Sequence, residues 1–142
     1  MVKKVLVPIN PLKESGGLIE TSIGIAKQLD ASVHLVVCTL KDDTKETKDA
    51  KRRALDEYAE KHRKRGIKTT CELIDFGGGA DELPPKIVDV AKGYDMIIMG
   101  HYGFDKMYRF IHQSTAQDVI NLATCPVLVV TEGEVEEKTR RA

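Results

Sequence analysis

The stretch Met96-Ile97-Ile98-Met99-Gly100 (MIIMG) decides how this chain folds. A short, continuous apolar run is typical of a strand that is buried on both faces, as the strands of a parallel sheet are. A glycine directly after such a strand allows the backbone to bend and to approach a ligand closely. We therefore predict a central strand here, followed by a loop that begins at Gly100.

Four other short apolar runs predict further strands, at Val5–Ile9, Val33–Cys38, Cys71–Ile74 and Val127–Val130. Between successive runs, apolar residues recur at helical spacing and predict four helices. Their stripes are Ile19, Ile23, Ala26 and Leu29; Ala50, Ala54, Leu55, Tyr58 and His62; Leu83, Ile87, Val90 and Ala91; and Ala116, Val119, Ile120 and Ala123. Strict alternation of strand and helix indicates an α/β fold with helices on both faces of a parallel sheet.

The composition of the runs also predicts their order in the sheet. The first and fourth runs are the most apolar and belong at the centre, whereas the third is polar enough for an edge. This favours a five-stranded parallel sheet in the order 3-2-1-4-5. Such sheets bind ligands where the order reverses, which here is beyond strands one and four, at Asn10 onward and Gly100 onward.

The overall composition excludes several classes of protein. The 22 basic and 22 acidic residues among the 142 balance, so the surface lacks the basic excess of a nucleic-acid-binding protein. No apolar run is long enough to span a membrane, and the opening MVKKVLVPIN predicts a strand rather than a signal peptide. Cys38, Cys71 and Cys125 have no CxxC spacing, which argues against disulfides and a zinc site. We expect a cytoplasmic protein.

The loop after the fourth strand has a recognisable glycine pattern. Gly100-His101-Tyr102-Gly103 is followed by nine residues and then by Gln113-Ser114, which precedes the fourth helix. The chain then reaches Ala123-Thr124-Cys125-Pro126-Val127-Leu128-Val129-Val130, and it opens with Val5-Leu6-Val7-Pro8-Ile9-Asn10. Together these three segments resemble the universal stress protein family, and the resemblance covers nearly the whole chain.

The resemblance implies a Rossmann-like fold of the adenine nucleotide alpha hydrolase type, with a stress-protein domain over residues 1–131 and a charged tail over 132–142. It also implies an adenine nucleotide as ligand, ATP or AMP, with magnesium if ATP. In family members that bind ATP, the loop glycines and the following hydroxyl surround the phosphates, which here corresponds to Gly100, Gly103 and Ser114. Asn10 corresponds to the residue at the adenosine, and the backbone of Val37 and Cys38 would frame the base.

The full predicted nucleotide site comprises Pro8, Ile9, Asn10, Val37, Cys38, Gly100, His101, Gly103, Arg109, Gln113, Ser114 and Thr115. Two of these positions depart from the family pattern. Gln113 stands where the third glycine is usual, and its side chain can crowd a phosphate. Asn10 stands where aspartate is usual, and it keeps an acceptor but no charge. We predict no metal site and no catalytic residue, so binding and signalling are expected, with at most slow ATP hydrolysis.

Two alternatives to a nucleotide-binding stress-response module remain open. Because Ser114-Thr115-Ala116-Gln117 is a capping box, Ser114 can simply begin a helix, and the protein would then be a nucleotide-independent dimeric adaptor with a degenerate cleft. Ser15-Gly16-Gly17 resembles the phosphate loop of ATP pyrophosphatases, a weaker alternative than Ser15 as a helix N-cap.

Other polar or glycine-rich segments have structural explanations. Gly77-Gly78-Gly79 predicts a mobile connector, which could still fold over the cleft, and the charged run Lys41–Lys51 predicts a solvated loop and helix start.

The last apolar run predicts self-association. A terminal strand formed by Val127, Leu128, Val129 and Val130 would leave an apolar edge exposed unless something covers it. In the universal stress protein family this strand pairs with its twin in a second subunit, so the resemblance implies a two-fold homodimer. The simpler alternative is an edge that the tail covers.

Overall fold

The computed structural model describes residues 1–12, 16–101 and 115–131 of the chain. Its strands are β1 (Lys4–Pro8), β2 (Ser32–Thr39), β3 (Thr69–Asp75), β4 (Met96–His101) and β5 (Val127–Thr131). Its helices are α1 (Gly17–Leu29), α2 (Lys45–Lys64), α3 (Leu83–Val90) and α4 (Thr115–Leu122), with one 3-10 turn at Ala80–Glu82. All strand pairs are parallel and the order is β3-β2-β1-β4-β5, so the predicted fold class and strand order are confirmed.

The sheet separates two apolar layers. Side chains alternate along each strand, so Val5 and Val7 face the layer that contains α1 and α2, whereas Leu6 faces the layer that contains α3 and α4. Val5, Leu6 and Val7 are completely buried, as expected for the central strand of a sheet covered on both faces. Because such strands are buried on both faces, neighbouring residues along them are all apolar, which explains the continuous apolar runs in the sequence.

Helix α2 shows how a highly charged sequence is held as a helix. Its N-cap Thr44 accepts a hydrogen bond from the Thr47 N–H at 3.1 Å, and its last turn carries the cations Lys61, Arg63 and Lys64, which offset the helix dipole. Leu55 and Ala59 on the inner face are fully buried. Gly66 follows with a φ of 84°, the left-handed conformation that favours glycine at a helix end.

Three expectations about the helices need correction. Ile120 was expected in the buried stripe of α4, but it is 51% exposed while Ala116 and Val119 are buried. One residue turns a helix by about 100°, so a short helix that buries Val119 turns Ile120 outward. Leu29, the last residue of α1, is also exposed. Finally, α1 is capped by Gly16 with a φ of 99° rather than by Ser15, which lies outside the described residues.

No helix within the described ranges is long and apolar enough to cross a membrane.

Candidate functional site

The carboxyl ends of β1, β2 and β4 lie side by side at one edge of the sheet, because β1 pairs in parallel with both neighbours. This edge presents Pro8 at the end of β1, Ile9 and Asn10 after it, and Gly100 near the end of β4. Ile9 is buried, Asn10 is exposed and Gly100 is half-buried. The strand order therefore reverses between β1 and β4, as predicted.

The ladder between β1 and β4 stops short of this edge. Its register pairs are Val5 with Met96 and Leu6 with Ile97, whereas the ladder between β1 and β2 continues to Pro8. Even-numbered residues of β1 point their backbone groups towards β4, since the Lys4 carbonyl accepts from the Asp95 N–H at 2.8 Å. Pro8 has the same orientation but carries no N–H. Pro8 therefore cannot continue the β1–β4 ladder beyond the pair of Leu6 and Ile97.

A side chain from α2 bonds to the backbone at the end of β2. The backbone ladder between β1 and β2 reaches Ile9, which donates its N–H to the Val36 carbonyl at 2.9 Å. Two residues beyond Val36, the Nζ atom of Lys51 lies 3.2 Å from the Cys38 carbonyl oxygen and donates to it. Lys51 therefore ties α2 to the carboxyl end of β2.

Lys51 is itself paired with Asp43. The Nζ–Oδ2 distance is 2.7 Å, and the two side chains are only 8% and 13% exposed. Burial alone would raise the pKa of Asp43, but the hydrogen bonds from Lys51 and from the Leu40 N–H outweigh it and hold the pKa below its usual value. The Asp43 carboxyl group is therefore ionised, and its ion pair with Lys51 lies beside the carboxyl end of β2.

This burial corrects the expectation that Lys41–Lys51 is a solvated segment. Lys51 is 6% exposed, although the residues at the beginning of the segment are exposed. The sequence does carry a signal for it, because Lys51 lies four residues before Leu55 and eight before Ala59, on the inner stripe of α2. A lysine at such a position needs a buried partner, and Asp43 provides it.

Cys38 lies between two cations. Burial raises the pKa of its thiol, and the charges of Lys86 on α3 and Lys51 on α2 partly oppose that rise. The thiol is therefore neutral near pH 7, which does not fit a nucleophile. Neither lysine was among the predicted site residues, and the charge of Lys51 is offset by Asp43.

The loops beyond β2 and β3 are joined by hydrogen bonds. The Lys41 N–H donates to the Gly78 carbonyl at 2.9 Å, and the Gly79 N–H donates to Glu82 Oε2 at 2.7 Å. Thr39 donates to Asp75 Oδ1 at 2.6 Å. Gly77-Gly78-Gly79, expected as a mobile connector, is thus a bonded turn beside the end of β2.

The structure describes only part of the predicted nucleotide site. Val37 is buried in the core, so only its backbone can contribute, while Cys38 is half-buried. Thr115 begins α4, which leads the chain back from the carboxyl edge to β5. His101 ends β4, and the side chain of His101 and the residues Gly103, Arg109, Gln113 and Ser114 lie outside the described residues. Within the described part, no group of three or more His, Cys, Asp or Glu side chains is arranged to hold a metal ion.

Comparisons with known proteins agree on one family. A family model described as "Universal stress protein family" matches residues 1–131. A protein of Staphylococcus epidermidis that is named as a universal stress protein is 27% identical, over 95% of this chain and 87% of its own length. A relative of Staphylococcus aureus with the same kind of name is 25% identical, over 94% and 86% respectively.

Solved structures show the same fold. A universal stress protein from Archaeoglobus fulgidus has a TM-score of 0.72 at 22% identity and covers 91% of this chain and 93% of its own. The universal stress protein from Archaeoglobus fulgidus in complex with dAMP has a TM-score of 0.69 at 23% identity, with coverage of 91% and 98%. A universal stress protein in complex with cAMP has a TM-score of 0.70 at 17% identity, with coverage of 91% and 97%.

Proposed function

The chain belongs to the universal stress protein family, and we propose that it is a stress-response module that binds an adenine nucleotide, ATP or AMP, at the switch point between β1 and β4. The observation that carries this proposal is the early end of the β1–β4 ladder at Pro8, beyond the pair of Leu6 and Ile97. Pro8 has no N–H to continue the ladder, and parallel sheets of this kind bind ligands beyond the carboxyl ends of the strands at the topological switch point. Structures of the same fold in complex with dAMP and cAMP support the choice of ligand.

The proposed roles follow the positions along this edge. Gly100, Gly103 and Ser114 bind the phosphates, Asn10 binds on the adenosine side, and the backbone of Val37 and Cys38 frames the base. The remaining lining residues are Pro8, Ile9, His101, Arg109, Gln113 and Thr115. Magnesium accompanies ATP in this proposal through the phosphates, since carboxylate ligands are not gathered among the described residues.

The charges at the site favour an anionic ligand and do not favour strong catalysis. The charge of Lys86 acts on Cys38 near the end of β2, whereas the charge of Lys51 is offset by Asp43. The Cys38 thiol is kept neutral by burial, and the Lys51 ammonium is paired with Asp43. We therefore propose binding with at most slow hydrolysis. The three cysteines are free, as the reducing cytoplasm would keep them, and we propose that location.

A thermal-shift titration of the purified chain with ATP and AMP, with and without magnesium, tests nucleotide binding. Binding to the folded state raises Tm by mass action, and we expect Gly103→Val to abolish that rise. Gln113→Gly should strengthen binding if the glutamine crowds a phosphate. Absence of any shift, together with no co-purifying nucleotide, would refute the proposal.

A nucleotide-independent dimeric adaptor is the second candidate, and exposed apolar residues favour it. Ile120 and Leu122 of α4 are about half exposed, and Val127–Val130 of β5 are only half-buried at the edge of the sheet. A second copy of the chain would bury these residues and continue the sheet across β5, which makes a two-fold homodimer the proposed assembly for both candidates. The adaptor would dimerise but show no thermal shift with nucleotide. Pyrophosphate release in the presence of an acceptor would instead indicate the weaker ATP-pyrophosphatase alternative.

A further inference from the structure

A cavity lies at the opposite edge of the sheet from the proposed nucleotide site. Because all strand pairs are parallel, the amino ends of the strands share one edge, and α1 and α2 both end beside it. The cavity there has a volume of about 340 Å³, within the range of small-molecule sites. We call it the amino-edge cavity, and its lining includes Lys3, Lys27, Asp30, Ser32, Gly66 and Lys68.

Backbone hydrogen bonds between the strands hold the lining in place. The Ser32 N–H donates to the Lys3 carbonyl at 2.9 Å, and the Val33 N–H donates to the Lys68 carbonyl at 2.9 Å. Lys3 and Lys68 therefore lie on either side of the start of β2, two strand spacings or about 10 Å apart along the backbone edge. Their side chains are anchored on a rigid sheet rather than on a long loop.

The lining carries an excess of positive charge. Lys27 in the last turn of α1 joins Lys3 and Lys68, and all three lysines are exposed. Asp30, the C-cap of α1, is the only acidic residue among the described residues that line the cavity, so the lysines outnumber it by two. Like charges on three different elements repel one another across the cavity, and a ligand of opposite charge relieves this repulsion.

We propose that the amino-edge cavity binds a small phosphorylated ligand that carries at least two negative charges. Lysine ammonium groups are compact charges on flexible four-carbon stems and are common phosphate binders. Lysines from the starts of two strands and the end of a helix can therefore turn towards phosphate oxygens from different sides. The inference is independent of the proposed nucleotide function, because the two sites lie at opposite edges of the sheet.

Isothermal titration calorimetry tests this site with two probes, pyrophosphate for free phosphate and fructose 1,6-bisphosphate for phosphate carried on an organic skeleton. In about 0.15 M salt, at least one probe should bind with a Kd below about 1 mM. The double variant Lys27→Met with Lys68→Met should weaken that binding about tenfold or more. The matched control is Lys61→Met with Lys64→Met, which removes the same charge from the last turn of α2, outside the lining. It should stay within about twofold of the wild type.

Amide chemical shifts locate the bound probe and separate this site from the nucleotide site. In a ¹H–¹⁵N titration of the wild-type chain, the probe should move the signals of Ala31, Ser32 and Ile67 at the amino edge. If only signals at the carboxyl edge move, such as those of Asn10 and Gly100, the phosphate occupies the nucleotide cleft and the inference is wrong. Absence of saturable binding by either probe would also overturn it, and neither result bears on whether the cleft binds ATP or AMP.

A change of opposite sign covers the case in which the lysine double variant does not fold. Asp30 has a φ of 52°, a left-handed conformation that asparagine also adopts readily, so Asp30→Asn should keep the backbone while it removes the negative charge from the lining. Binding of the probe should become about threefold tighter. An affinity that is unchanged or weaker in Asp30→Asn would contradict the proposed site.

Discussion

The imidazole of His62 joins α2 to α1 through Ser22, whose Oγ lies 2.7 Å from His62 Nε2. The other ring nitrogen, Nδ1, lies 2.8 Å from the Tyr58 carbonyl and must donate to it, because a carbonyl only accepts. In the neutral ring Nε2 is then an acceptor, and the single hydroxyl proton of Ser22 is shared between Nε2 and the Ile19 carbonyl at 2.9 Å. Both side chains are fully buried, so water cannot supply another donor.

Stability should therefore fall in mildly acidic solution. Burial holds the pKa of His62 below its usual value, and Tyr58 and Glu20 oppose this only in part. The unfolded chain takes up a proton near the ordinary histidine value of about 6.5, whereas the folded chain resists it. The stabilising contribution is thus complete above about pH 6.5 and decreases below it, by at most about 1.4 kcal/mol per pH unit for one proton.

Urea denaturation between pH 8 and 5 measures this dependence. In the double variant His62→Leu with Ser22→Ala, the free energy of unfolding should no longer decrease through His62 between pH 6.5 and 5. This holds even if the stability of the variant at pH 8 differs from that of the wild type. The carboxyl groups whose pKa is lowered, Asp43 among them, act below about pH 4 and so outside this window. Equal slopes for wild type and double variant would contradict the assignment to His62.

Pro8 offers a test of the early end of the β1–β4 ladder. Pro8→Val supplies an N–H directed at β4 and a side chain suited to a strand, so the ladder should extend towards the carboxyl edge of the sheet. One further hydrogen bond is worth about 1 kcal/mol, so we expect Tm to stay level or rise by a few degrees. Nucleotide affinity should fall about tenfold as the ladder extends.

The matched control for Pro8→Val is Pro126→Val, because Pro126 is exposed before β5, at the opposite edge of the sheet. Its nucleotide affinity should stay at the wild-type value. A Pro8→Val protein with undiminished affinity would show that ligand binding does not depend on the early end of the ladder.

Two neighbouring glycines should respond differently to alanine. A Cβ atom at Gly78 would lie 2.5 Å from Glu82 Oε2 and 2.6 Å from Phe76 Cζ, so the aromatic ring would have to move. At Gly77 the same atom would meet nothing within 4 Å. We expect Gly78→Ala to lower the free energy of unfolding by about 1–2 kcal/mol and Gly77→Ala to change it by less than about 0.5 kcal/mol. Chemical denaturation of the two variants in parallel measures these values, and an equal loss of unfolding free energy would contradict the prediction.

The homodimer proposed across β5 can be tested at a single backbone N–H. The Pro126 carbonyl accepts from the Ile97 N–H, so even-numbered residues of β5 face β4 and Val129 directs its N–H away from the sheet. Val129→Pro removes that outward donor and leaves the β4 ladder intact, so the protein should remain folded but become monomeric. Light scattering after size-exclusion chromatography gives the oligomeric state.

A comparison with Val130→Pro identifies the cause of any change in assembly. That substitution removes an inward N–H, so it should destabilise the fold itself. A Val129→Pro protein with the same mass as the wild type would rule out pairing through this edge.

The fold could be predicted from the sequence because its two defining patterns, continuous apolar runs and helical apolar stripes, are both clear. Runs such as Val5–Ile9 have the continuous apolar character that burial on both faces requires, and their alternation with helical stripes leaves few topologies. The third strand is polar enough to be predicted at an edge, and Thr70 and Glu72 are indeed exposed.

The site was less predictable because its chemistry depends on contacts between distant residues. Pro8 is visible in the sequence, but the effect of its missing N–H depends on which neighbour each strand residue faces. Lys51 could be placed on the inner stripe of α2, yet its bond to the Cys38 carbonyl requires the loop that brings in Asp43. Sequence motifs for phosphate sites consist of glycines and hydroxyls, so they do not identify Lys51 within a charged run.

The early end of the β1–β4 ladder has a consequence for how the molecule opens. The seam between these strands has the fewest register pairs in the sheet, and it divides β3, β2 and β1 from β4 and β5. Partial unfolding should begin between β1 and β4, while the hydrogen bonds within β3-β2-β1 and within β4-β5 remain. Amide protons at the carboxyl end of β4 should therefore exchange with solvent before those of β2. A ligand that bridges the seam would then slow the exchange on both sides together and couple two otherwise separable halves into one cooperative unit.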